Sequence, residues 1–188
     1  MRLFLRRLFN CFFSWHILPA TENELKTADC IVTQAFSRLS DGGAGPGNEI
    51  LARVAETLQK RLSLPLLVQE EISIALPELR CDLIVKSSSD GRSSATVNTY
   101  SVAKEQTLFC RKKGWKRVIV VVYPYHMGRA VWTYQRFGLD AIPAWVPQRG
   151  YEHPKLVHWV CQGGAIRICF MLLRELLCRI LFLALGKI

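Results

Sequence analysis

The residues best equipped for chemistry lie in three polar segments. In the first, Tyr125-His126-Met127-Gly128-Arg129 follows a long apolar run, and His126 and Arg129 are three residues apart. A helix starting there would carry both on one face. Histidine exchanges a proton near neutral pH, and arginine grips a phosphate or carboxylate through two parallel hydrogen bonds. The pair reads either as an acid/base beside an anion holder or as a solvated helix start. In the second segment, Asn98 and Thr99 lead into a helical pattern, where they can cap the helix or hydrogen-bond a ligand. The third, Asp41 to Glu49 (DGGAGPGNE), has glycines that would let the backbone approach an anion, and Asn48 as the expected N-cap of the next helix. It matches neither a dinucleotide fingerprint nor a Walker loop, so a simple connection is the plainer reading.

The elements that must position these groups follow from hydrophobic periodicity. Ile50, Leu51, Val54, Leu58 and Leu62 recur at helical spacing and predict a helix over 49–61. Two further helices are predicted over 99–113 and 125–137, the latter closed by Gly138. Strands are predicted over 29–36, 66–69, 83–86, 116–123 and 140–146. The clearest is KRVIVVVY, apolar on both faces as a strand inside a parallel sheet must be. Residues 70–79 have mixed signals, and 20–27 read as a polar link. Strands alternating with helices imply an α/β protein with a Rossmann-like open parallel sheet and helices on both faces. Ligands of such sheets bind at the carboxyl ends of the strands, where all three polar segments should gather.

Both ends are amphipathic. In residues 1–27, Arg2, Arg6, Arg7, Asn10 and Ser14 share one side of a helical wheel, with Phe4, Leu5, Leu8, Cys11, Phe12 and Trp15 on the other. Arginines interrupt the apolar run and Leu18 occupies the place of a small cleavage residue, so the segment reads as retained. It would lie on a membrane surface or dock on the domain. The core is expected over 28–153 and a helical segment over 154–188, with a break at Gly163 and Gly164. There Arg167, Arg174, Glu175 and Arg179 fall within roughly 140° of one another, leaving a broad apolar face to be buried on the core, the N-terminal helix or lipid.

The chain has 188 residues, half of them hydrophobic, which suits one domain with a sizeable core and excludes intrinsic disorder. No apolar stretch reaches the ~18 uninterrupted residues of a membrane span. Seven scattered cysteines without a Cys-x-x-Cys pair look like buried thiols in a reducing compartment. His153, His158 and Cys161 match no zinc spacing, so no metal is expected. The formal charge of +10 is uneven: residues 111–188 hold thirteen basic against three acidic side chains. That distribution suits an anionic small molecule, and peripheral contact with an anionic membrane, better than nucleic acid, for which no recognition motif is present.

Together, NTYSVAKEQ and KRVIVVVYPYHMGRAVWTYQRFGLDAIPA resemble the core signature of the bacterial domain-of-unknown-function family typified by YdcF, SanA and ElyC. Asn98, Thr99, Ala103, Tyr125, His126, Met127, Arg129 and Ala130 carry the likeness, and RELLCRILFLALGKI resembles the family's closing helix. The chain departs from the pattern at Gln34-Ala35-Phe36, Gln69-Glu70-Glu71 and Val102. The resemblance implies a Rossmann-like domain linked to cell-envelope processes, with S-adenosylmethionine as a candidate cofactor and no settled reaction. His126 would be the acid/base, Arg129, Asn98, Thr99 and Tyr125 would bind the ligand, and Gln34, Asn48, Gln69 and Glu70 would take replacement roles. The expected location is cytoplasmic or peripheral to the inner membrane. A non-catalytic membrane-peripheral scaffold is the alternative.

Overall fold

A computed structural model describes residues 17–86, 99–147, 151, 153, 155 and 165–184. Five strands form one parallel sheet: β1 (Cys30–Thr33), β2 (Leu66–Gln69), β3 (Leu83–Val85), β4 (Arg117–Val121) and β5 (Asp140–Pro143), in the order β3-β2-β1-β4-β5. The register aligns Ile31 with Leu66 on one side and with Ile119 on the other. Cys30, Ile31, Val32 and Val118 to Val121 are all buried, as strands covered on both faces require. The α/β, Rossmann-like open sheet expected from the sequence is present.

All neighbouring strands pair in parallel, so the chain crosses back over the sheet between them. α1 (Glu22–Leu25) precedes the sheet, α2 (Gly45–Leu62) joins β1 to β2, and α3 (Glu70–Ala75) joins β2 to β3. α4 (Thr99–Lys113) returns the chain to β4, α5 (Met127–Arg136) joins β4 to β5, and α6 (Ala165–Ala184) follows. The order reverses between β1 and β4, the topological switch point beside which such folds bind ligands.

Local sequence accounts for most of these elements. α2 buries Leu51, Ala52, Ala55 and Leu58 at helical spacing, and α4 buries Val102, Ala103, Gln106, Thr107 and Cys110. Gly138, at φ +82°, closes the turn after α5. Asp29 ties the start of β1 to that of β4, its Oδ2 accepting from the Lys116 and Arg117 amides at 2.7 and 2.8 Å.

Several boundaries differ from expectation. β1, β4 and β5 are shorter than predicted, because the chain leaves the sheet to build its carboxyl-edge loops. The supposed link 20–27 contains α1, fixed by a capping box between Thr21 and Glu24. The turn Pro124–His126 is a 3₁₀ turn leading into α5. Asn48 is not an N-cap: α2 begins at Gly45 with Pro46 in its first turn, and Asn48 is buried inside the helix.

The burial expected of the thiols is found at Cys30 and Cys110, whose sulfurs are 3.6 Å apart. Contact with Cys110, with burial, pushes the Cys30 thiol well up. Cys169 is exposed on α6, and Cys11 and Cys161 lie outside the described residues.

Of the three partners expected for the apolar face of α6, the core is not the one it meets. Glu175 and Arg179 from its polar stripe are buried, whereas Phe170, Leu173, Leu177, Ile180 and Leu181 are exposed. The core does not cover that apolar face. The reason is tertiary: the charged side finds ionic and hydrogen-bond partners on the domain. The amphipathic pattern of residues 1–16 and the break at Gly163 and Gly164 lie outside the described residues.

Candidate functional site

Two of the three polar segments meet at the carboxyl edge beside the switch point. His126 precedes α5 at the end of the turn that follows β4, and Thr99 opens α4. Thr99 Oγ1 and His126 Nε2 are 2.6 Å apart. Arg129 Nη1 donates to the same Thr99 oxygen at 2.6 Å. A threonine hydroxyl carries one proton and accepts with its lone pairs. With Arg129 as donor, the hydroxyl proton is assigned to His126, whose Nε2 then accepts and whose Nδ1 carries the hydrogen.

That assignment suits the electrostatics. Burial holds the His126 pKa well below the ordinary histidine value, and Arg129, Arg179 and Arg174 push it further down. His126 is therefore neutral at pH 7. Its ring and the Thr99 hydroxyl lie within proton-transfer distance, with Arg129 polarising the hydroxyl.

The two side chains that complete this cluster come from α6. Glu175 accepts from Arg129 Nε at 3.1 Å and from Nη2 at 2.9 Å, a forked pairing. Arg179 Nε reaches the other side of the same carboxylate at 3.2 Å, and its Nη2 donates to the Tyr125 carbonyl at 3.2 Å. Arg179 is fully buried, a placement that Gly128 permits: a Cβ there would stand 3.2 Å from Arg179 Nη2. Three arginines thus influence His126, and one carboxylate, Glu175, is paired with two of them.

A chain of buried hydrogen bonds carries the cluster inward. Gln34, the residue after β1, donates through Nε2 to the Thr99 carbonyl at 3.4 Å and to the Tyr134 hydroxyl at 3.1 Å. Tyr134 donates to Gln106 Oε1. Gln106 Nε2 donates to the Thr33 and Leu67 carbonyls at 3.0 and 3.2 Å, in the centre of the sheet. Gln34 Oε1 is buried and has no hydrogen-bond partner among the described residues.

The other predicted residues fall elsewhere. Asn48 Oδ1 accepts from the Phe36 amide at 2.8 Å, and Asn48 Nδ2 donates to the Ser37 and Ala44 carbonyls. Its amide is spent on the loop after β1. Gln69 Oε1 accepts from the Ala35 amide at 3.0 Å, fixing the same loop. Glu70 opens α3 at the carboxyl end of β2. Tyr125 contributes its carbonyl to Arg179 and its ring to an edge contact with Tyr123. In the glycine segment, a Cβ at Gly47 would stand 2.8 Å from the Phe36 ring, so that glycine makes room for an aromatic side chain. Asn98 lies outside the described residues, as do His158 and Cys161. Among the described residues, no group of three or more His, Cys, Asp or Glu side chains is placed to hold a metal ion.

Sequence reasoning missed Glu175, Arg179, Gln106 and Tyr134 as members of the site. Glycine at 128, in the first turn of α5, was the available signal that another chain approaches there closely. No family model, curated protein or solved structure matches this chain.

Proposed function

We propose that the protein binds an anionic small molecule at the carboxyl edge of its sheet, beside the switch point. The observation that carries this reading is the seating of the Glu175 carboxylate between Arg129 and Arg179, next to a neutral His126. Two guanidinium groups presented to one carboxylate are also a receptor for a ligand carboxylate or phosphate. An incoming anion would take over Glu175's place on Arg129, with Thr99 and His126 donating or accepting the adjoining proton. Gln34 Oε1 offers an acceptor beside Thr99.

Glu70, at the end of β2, stands where nucleotide-binding sheets of this topology hold ribose hydroxyls. This favours a nucleotide-like ligand, of which S-adenosylmethionine is one, over inorganic phosphate. Its ribose suits Glu70 and its carboxylate suits Arg129. A phosphorylated precursor of the cell envelope is the other ligand class that the resemblance to the YdcF, SanA and ElyC family suggests, and the envelope setting belongs to the same proposal.

Calorimetric titration with S-adenosylmethionine, a nucleoside monophosphate, undecaprenyl phosphate in detergent and inorganic phosphate tests the reading. At least one of the organic anions should bind the wild type. Arg129→Gln should weaken that binding by about ten-fold or more, since a hydrogen bond to a charged group contributes ~1.5–3 kcal/mol. Absence of binding by the wild type, or equal affinity in Arg129→Gln and His126→Ala variants, overturns the site.

A further inference from the structure

α6 is built inside out. Its acid, Glu175, and Arg179 face the domain, while Phe170, Leu173, Leu177, Ile180 and Leu181 are exposed, Leu177 by 57%. At 100° per residue these five side chains fall within a sector of roughly 100° and extend over about 16 Å of helix. Arg174 is exposed at the rim of the stripe, and no acidic side chain lies along it. A surface helix of a globular protein turns its apolar face inward; an apolar face turned outward marks a contact surface.

A second exposed apolar group lies at the edge of β5. Ala20 donates its amide to the Pro143 carbonyl at 2.8 Å. Within two residues of that bond stand Leu18, 85% exposed, and Trp145, 66% exposed. The adjoining Ile17 lies against the Gly128 position beside the Arg179 guanidinium. In sequence, residues 1–16, which precede it, contain three arginines, five aromatic residues and no acid.

We propose that the outer face of α6, with Leu18 and Trp145, docks on the surface of an anionic lipid bilayer. Acyl chains accept the Phe, Leu and Ile side chains, and headgroup phosphates meet Arg174 at the rim of the stripe. Tryptophan is favoured at headgroup depth because one end of its ring system is apolar and the other carries an N–H. A second copy of the chain fits less well: it would set one +10 molecule against another. No described helix is long and apolar enough to cross a membrane, so the contact lies in the interface.

Co-sedimentation of the full chain with vesicles of phosphatidylglycerol and phosphatidylcholine, and with phosphatidylcholine alone, tests this. The wild type should pellet with the anionic vesicles, less with neutral ones, and less as salt is raised. A Leu173→Ser/Leu177→Ser/Leu181→Ser variant, altered only at outward positions, should bind at least ten-fold more weakly while keeping the wild-type circular dichroism. Equal pelleting of this variant, or no pelleting of the wild type, overturns the proposal. A wild-type dimer in light scattering that the variant converts to a monomer, without vesicle binding, assigns the face to a second copy. Binding seen only after removal of residues 1–16 assigns it to that segment.

Discussion

The carboxyl edge of the sheet holds two ion pairs on opposite sides of β1, and they are used differently. Arg38 and Glu71 meet at 2.7 Å across the loop after β1. Around them Asn48 and Gln69 are committed to the backbone of residues 35–37 and 44, so the polar side chains there close a loop. Arg129 and Glu175 meet at 2.9 Å across two separate helices, with a second arginine on the same carboxylate and a histidine held neutral alongside. Similar residue types therefore give a structural half and a chemically poised half. What separates them, among the described residues, is the pairing: one arginine on the Glu71 carboxylate, two on that of Glu175.

The strongest way to break this contrast is Glu175→Gln. It leaves Arg179 fully buried without its carboxylate and should lower unfolding free energy by about 3–5 kcal/mol in urea titrations. At the same time it should tighten anion binding at Arg129; weaker binding would mean that Glu175 holds Arg129 in position rather than occupying its place. Asn48→Ala comes next, removing three hydrogen bonds from the β1 loop at a cost of about 2–4 kcal/mol. Its effect on anion affinity should be negligible, since its bonds serve the structural half alone.

The smallest effect sharpens the contrast through pH. The folded-state pKa of His126 is lowered, so below the unfolded value of about 6.5 the unfolded chain binds more protons than the native one. The His126 contribution to stability is thus present at neutral pH and is lost as pH falls below about 6.5 towards its lowered value. Urea midpoints measured from pH 7.5 to 5 should decline, and His126→Gln should remove part of that slope. A slope identical in the variant would show that other groups produce it.

Much of the fold was legible because it depends on short-range pattern. The bounds of α4, Thr99 to Lys113, and the apolar runs at β2 and β4 are written in periodicity alone. Asn48 misled because an asparagine ahead of an apolar helical run has the same local sequence whether it caps the helix or lies within it. Here Pro46 was the better marker of the helix start. His126, Arg129 and Thr99 were legible as candidates because histidine, arginine and a hydroxyl at strand ends carry recognisable chemistry. Glu175 and Arg179 were visible only as a polar stripe. A helical wheel separates two faces without saying which points inward, and that choice depends on Arg129 and the Tyr125 carbonyl, about fifty residues away.

Gln106 has a mechanical meaning beyond its hydrogen bonds. Its side chain grips carbonyls of two neighbouring strands at the centre of the sheet and passes that fixed reference through Tyr134 and Gln34 to the first turn of α4. The histidine is thus surveyed from the middle of the sheet rather than from the loops around it. Displacement of those loops is transmitted to the site only as far as this buried scaffold yields, so the cluster inherits the stiffness of the interior.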